Sequence, residues 1–149
     1  MGLRSLEGRA EREIGAPVER CLQVLRDIES WPEWLSTVRS VGVTERDDSG
    51  ETQRLLVQAS MLGLPLWFAA EVEFREPGEL KLERVALEEG DSERLELSVG
   101  LAPSEGDRCH ANAQLSADLE VPRLLPLPGA IGDQVAGRLL ADLDAEASG

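Results

Sequence analysis

From Val38 to about Val121 apolar and polar residues alternate with a period of two, and the alternation is interrupted by the clusters "DDSG", "EPGE", "EEGDS" and "SEGD". Period two marks strands with one buried face, and turn clusters at such intervals mark successive antiparallel hairpins. Six strands are predicted there, near Val38–Asp47, Glu51–Met61, Leu64–Arg75, Glu79–Glu89, Ser92–Ala102 and Asp107–Val121. One more precedes them over Glu7–Ala16, broken by Gly15 and Pro17.

Elsewhere the period lengthens. Val18, Cys21, Leu22, Leu25 and Ile28 recur at spacings of three and four, which predicts an amphipathic helix over Pro17–Ile28 with proline in its opening turn. Ser30 is a candidate cap for a second short helix, Trp31–Ser36. Leu127, Ile131, Val135, Leu139 and Leu143 stand four apart and predict a long helix over Pro128–Ala147, with this stripe toward the core. Gly129, Gly132 and Gly137 weaken that helix, so close approach to the sheet or space for a non-protein guest is expected to explain them. The pattern describes one α+β domain spanning residues 1–149, with helices on one face of an antiparallel sheet.

Alternation also assigns faces. The side expected to meet the long helix carries Leu55, Val57, Ala59, Phe68, Ala70, Leu82, Ala86, Leu97, Ala111, Ala113 and Ala117. This set is apolar and rich in alanine, so a curved sheet around a glycine-bearing helix leaves either a hollow or a closely packed core. An empty apolar hollow is costly and is expected to take an apolar guest. Arg84 is the charged exception on that face, either a handle for a ligand's polar group or a structural residue, paired with an acidic neighbour or placed at the open end of the sheet.

Composition narrows the partners. Against 29 Asp and Glu stand 15 Lys and Arg, a formal charge of −14 that opposes nucleic acid and anionic lipid surfaces. Neither a signal-peptide core nor a membrane span is evident, so a cytoplasmic protein is expected. The connection "SMLGLPLW" is apolar for a hairpin, and Met61, Leu62, Leu64 and Trp67 are a candidate patch for transient membrane contact or for a homodimer, the alternative being a monomer with the tip folded under the helix. Cys21 and Cys109 are read as reduced packing residues, and His110, the only histidine, points away from Cys109 on the strand. The motifs of serine hydrolases, zinc proteases and phosphate-binding loops are missing, so neither metal nor cofactor is expected and no residue is assigned as catalytic.

The segment "REIGAPVERCLQVLRDIESWPEWLSTVRSVGV", Arg12–Val43, joins an apolar strand ending in Ile14, Ala16 and Pro17 to a helix closing on Asp27 and a Trp31-Pro32-Glu33-Trp34 turn. With the "LPLPG" run at Leu125–Gly129, it resembles the polyketide cyclase/dehydrase and coenzyme-Q-binding branch of the START-like (SRPBCC) superfamily. The resemblance implies a helix-grip fold, in which seven bent antiparallel strands wrap a long C-terminal helix and two short helices close one end. It also implies a hydrophobic cavity between sheet and helix, with Trp31 and Trp34 plugging the corner and Trp34 the better placed to touch a ligand.

Members of that superfamily include lipid and quinone carriers and aromatase/cyclases. The expected function is therefore binding or transport of a small hydrophobic molecule, with a polyketide cyclase/dehydrase as alternative and a ligand-free interaction module as a third reading. Trp34, Leu55, Val57, Phe68, Ala70, Leu82, Arg84, Leu97, Ala111, Ala113, Ile131 and Val135 are the candidate ligand-binding residues.

Overall fold

The computed structural model describes residues 2–61, 63–86, 88–122, 124 and 129–149. Its elements follow the order β1 (Gly2–Ile14), α1 (Val18–Arg26), a 3-10 turn (Ile28–Ser30), α2 (Trp31–Trp34), β2 (Val38–Arg46), β3 (Thr52–Met61), β4 (Leu64–Arg75), β5 (Glu79–Val85), β6 (Arg94–Pro103), β7 (Cys109–Val121) and α3 (Ile131–Ser148). The strands form one antiparallel sheet in the order β1-β7-β6-β5-β4-β3-β2, and α3 packs across β1 and β7. This is the helix-grip arrangement expected from the sequence.

The hairpin signals act through local chemistry. In the turn between β2 and β3 the Asp47 carboxylate accepts the Ser49 and Glu51 amides at 2.9 and 3.0 Å and the Ser49 hydroxyl at 2.6 Å, while Gly50 takes the left-handed φ of +87°. Hydrogen bonds of this kind hold the Asp47 carboxyl below the usual range, led by the Ser49 hydroxyl.

Several boundaries differ from expectation. β1 begins at Gly2 because its 13 residues pair with β7 throughout, from Gly2↔Val121 to Ile14↔Cys109. β5 stops at Val85 rather than Glu89, and its ladder with β6 ends already at Glu83↔Glu96, so Arg84 has a neighbour on β4 but none on β6. Ser30 does not cap α2; its hydroxyl donates to Asp27 Oδ2 at 2.7 Å instead. α3 begins at Ile131 rather than Pro128, with Gly129 and Ala130 in a turn before it, while Leu127 and Pro128 lie outside the described residues.

The buried line of α3 keeps Leu143 from the expected stripe but otherwise differs from it. Gly132, Ala136, Leu140, Leu143 and Ala147 are buried, whereas Ile131, Val135 and Leu139 sit at the edge of the core. Close approach decides this. A Cβ on Gly132 would stand 2.0 Å from the Glu7 carbonyl oxygen, and one on Gly8 would stand 1.9 Å from the Gly132 carbonyl carbon. The first turn of α3 thus lies directly on the backbone of β1, and only glycine on both sides permits it. Gly137 has more room, with Ala10 Cβ at 4.0 Å, and Gly129 meets nothing within 4 Å.

Three aspartates clamp α3 in that position. Asp133 accepts the Arg9 amide, a donor on the outer edge of β1, at 2.9 Å. Asp142 accepts the Ser36 amide and hydroxyl at 3.0 and 2.8 Å. Asp144 accepts the Gly15 amide at 3.0 Å and pairs with Arg12 at 2.9 Å.

Candidate functional site

On the concave side of the sheet an apolar cavity of about 100 Å³ is lined by β2 to β7, the α2 corner and α3. Its walls are large side chains: Leu66 and Phe68 on β4, Leu80 and Leu82 on β5, Leu95, Leu97 and Val99 on β6, and Val135 and Leu139 on α3. Trp31, Trp34 and Leu35 close one end. Besides the two indole rings, Thr37 and Ser60 supply the polar side-chain groups of the described lining, and no titratable group belongs to it.

The corner is held rigidly. Trp31 is 4% exposed and its indole N–H donates to the Leu25 carbonyl at 3.0 Å, so the ring is fixed to the end of α1. Trp34 is half-buried and lies against the same cavity. The Ser36–Asp142 bonds tie this corner to α3, and Arg138 reaches both Ser36 Oγ at 3.2 Å and Asp142 at 3.4 Å. Scarce aromatic area is concentrated at Trp31 and Trp34 because one rigid plug forms both the end of the core and a cavity wall.

Of the residues expected around a ligand, Trp34, Val57, Phe68, Leu82, Leu97 and Val135 line the cavity. Leu55, Ala70, Ala111 and Ala113 do not; all four are fully buried in the solid core. Ile131 stands outside the lining as well, at the start of α3. The alanines of β7 serve the other purpose left open by the sequence. Ala111, Ala113 and Ala117 are on the side of the sheet that α3 covers, where small residues allow the helix to come close. The hollow lies instead where the sheet curves away from α3 toward the tryptophan corner. Its walls include Met61, Leu66 and Leu139, which face assignment alone did not separate from the rest of the core.

Arg84 does not reach this cavity. Beyond the last β5–β6 rung it turns to the connection that follows and pairs with Asp91 at 2.7 Å, with Glu93 at 3.8 Å. Ala86, past the end of β5, is exposed rather than inward. The proposed hairpin patch is divided: Met61 and Leu64 pack against the core, Trp67 is 69% exposed on the outer face, and Leu62 lies outside the described residues. A more voluminous depression of about 560 Å³ lies on the outer face among Glu7, Arg9, Lys81, Glu96 and Asp133, but it is open and charged and suits no apolar guest.

The remaining chemistry is quiet. His110 faces outward with Nδ1 2.9 Å from Glu13 Oε1. Cys21 and Cys109 are free, buried and 3.6 Å apart at sulfur, a proximity that no spacing in the sequence signals. Burial, followed by the hydrogen bond shared with Cys109, pushes the Cys21 thiol up to about 12; burial also raises that of Cys109. Among the described residues no three His, Cys, Asp or Glu side chains are placed to hold a metal ion, and no helix is long and apolar enough to cross a membrane.

Residues 14–144 match the family described as polyketide cyclase / dehydrase and lipid transport. The chain belongs to that family. Solved structures agree on the fold: a START superfamily protein from Mycobacterium smegmatis superposes with a TM-score of 0.73 at 20% identity, covering 95% of this chain and 92% of its own. A Thermus thermophilus protein gives 0.77 at 27% identity over 95% and 97%. The Zhui aromatase/cyclase from Streptomyces gives 0.68 at 12% identity over 98% and 94%. Among curated proteins none matches the sequence. The fold is the one shared by these START-type and polyketide cyclase-like structures.

Proposed function

We propose that this protein binds and carries a small hydrophobic molecule, of lipid, quinone or polyketide-like character, between the sheet and α3. The observation that carries this reading is the apolar cavity, whose described lining holds the hydroxyls of Thr37 and Ser60, two indole rings and otherwise apolar side chains. At about 100 Å³ it is smaller than the roughly 300 Å³ at which drug-sized sites begin, so a ligand is received by displacement of the Leu66 and Phe68 side chains. Those two residues also border neighbouring cavities of about 20 and 140 Å³, Leu66 both and Phe68 the larger, which gives the displaced site room to extend.

Native mass spectrometry of the purified protein, with a binding panel of neutral lipids, quinones and aromatic polyketides, tests the reading. A stoichiometric apolar adduct or micromolar binding is expected; no binding anywhere in the panel refutes it. The similarity to an aromatase/cyclase favours a second reading, in which the cavity shapes a reactive chain for cyclisation. Since no titratable side chain lines the described cavity, such catalysis would act through positioning. Accelerated cyclisation of a poly-β-ketone analogue over the uncatalysed rate is the measurement that distinguishes it.

A further inference from the structure

A second cavity of about 140 Å³ shares Leu66, Phe68 and Leu95 with the apolar cavity and opens past the end of the β5–β6 ladder, where Pro65, Trp67 and Glu120 also border it. Its lining adds charged groups that the apolar cavity lacks: Arg84, Glu93 and Glu120. The Arg84 side chain is 12% exposed. Its Nη2 donates to Asp91 Oδ2 at 2.7 Å and its Nη1 lies 3.8 Å from Glu93 Oε1. Of its five N–H donors, Nε–H is the one that is buried with no hydrogen-bond partner among the described residues. Native structures rarely leave such a donor unmet, and each exception calls for an explanation.

The charges around it restrict what meets that donor. Two carboxylates already offset the guanidinium, and Glu120 also borders the cavity. A ligand carboxylate or phosphate would add a further negative charge beside them and lose its hydration for no net attraction. A neutral oxygen with a free lone pair satisfies the N–H at no such cost.

We infer that Arg84 is a specificity-determining residue that receives a neutral carbonyl oxygen, of a ketone or ester, at one end of an otherwise apolar ligand. This rests on the carrier reading: the hydrocarbon part occupies the apolar cavity and the carbonyl end passes Leu66 and Phe68 into the Arg84 chamber. The protein therefore selects neutral, carbonyl-terminated molecules over both pure hydrocarbons and fatty acids.

Three probes of one length test it: nonane, 2-nonanone and nonanoate, each competed against the neutral fluorophore N-phenyl-1-naphthylamine on the wild-type protein. The ketone is expected to bind about tenfold more tightly than the alkane, and nonanoate more weakly than either. In Arg84→Lys, which keeps a cation for Asp91 but has no Nε–H, the ketone-to-alkane ratio falls to about one. Infrared spectra of 2-nonanone labelled with carbon-13 at its carbonyl supply a readout that needs no variant: in the bound state the stretch shifts to lower frequency, as for a hydrogen-bonded carbonyl. Equal binding of ketone and alkane, a preference that survives in Arg84→Lys, or an unshifted stretch overturns the assignment while leaving the carrier reading intact. Failure of all three probes to bind, together with the absence of any adduct in native mass spectrometry, overturns both.

Discussion

Replacing Ala59 with isoleucine fills the cavity from the strand side and separates its stability from its function. Ala59 lies on β3 beside Val38 and Leu66 and contributes to the cavity wall. An apolar void of about 100 Å³ costs ~2.4 kcal/mol at ~24 cal/mol per Å³. Isoleucine adds three carbons, whose burial contributes ~0.8 kcal/mol each, and suits a strand. The two estimates agree, but residual misfit takes back part of the gain, so a net stabilisation of ~1–2 kcal/mol is expected. For a chain of this size that raises Tm by roughly 3–6 °C. Scanning calorimetry without ligand reads the stability, and the fluorophore competition reads affinity, which should drop at least tenfold. A lower Tm with unchanged affinity would refute the reasoning, since it would mean that position 59 packs against solid core.

Gly132→Ala places a methyl on the Glu7 carbonyl and should cost at least ~3 kcal/mol in urea unfolding, whereas Gly137→Ala, with its nearest neighbour at 4.0 Å, should gain up to ~1 kcal/mol; equal effects would dismiss the close approach of α3 to β1. For Asp144, burial raises the carboxyl, but the Gly15 amide and Arg12 more than reverse this and hold it below the usual range. Its stabilisation is therefore present above the ordinary carboxylate range and is lost as pH falls through its own lowered value. Asp144→Asn should cost ~1.5–3 kcal/mol at neutral pH and flatten that part of the acid-unfolding curve, and parallel curves for the two proteins would discount the clamp. With Cys21 raised to about 12 and both thiols buried, a disulfide reagent at pH 8 should label neither cysteine in the native protein and two after unfolding; rapid native labelling would contradict the burial.

Much of the architecture was legible along the chain because strand and helix periodicities are local. Alternation placed β4 at Leu64–Arg75 as observed, and it assigned the concave side of every strand from β3 to β7, since side-chain direction depends only on the strand itself. The Trp31–Trp34 corner was equally visible, as a cluster of aromatics around a helix-starting proline. Which concave residues border empty space depends on how far sheet and helix stand apart, and no residue's neighbours in sequence encode that distance. Gly8 meeting Gly132 draws α3 onto β1, which turns the alanines of β7 into a bed for the helix and leaves the hollow beneath Phe68, Leu82 and Leu97. The same separation in sequence concealed the approach of Cys21 to Cys109, 88 positions apart, and the grip of Asp133, Asp142 and Asp144 on segments more than 100 residues away. Arg84 shows the division within one side chain. Its face follows from alternation, whereas its pairing with Asp91 and its buried Nε–H follow from where the β5–β6 ladder ends, a matter of register between strands that only the folded sheet decides.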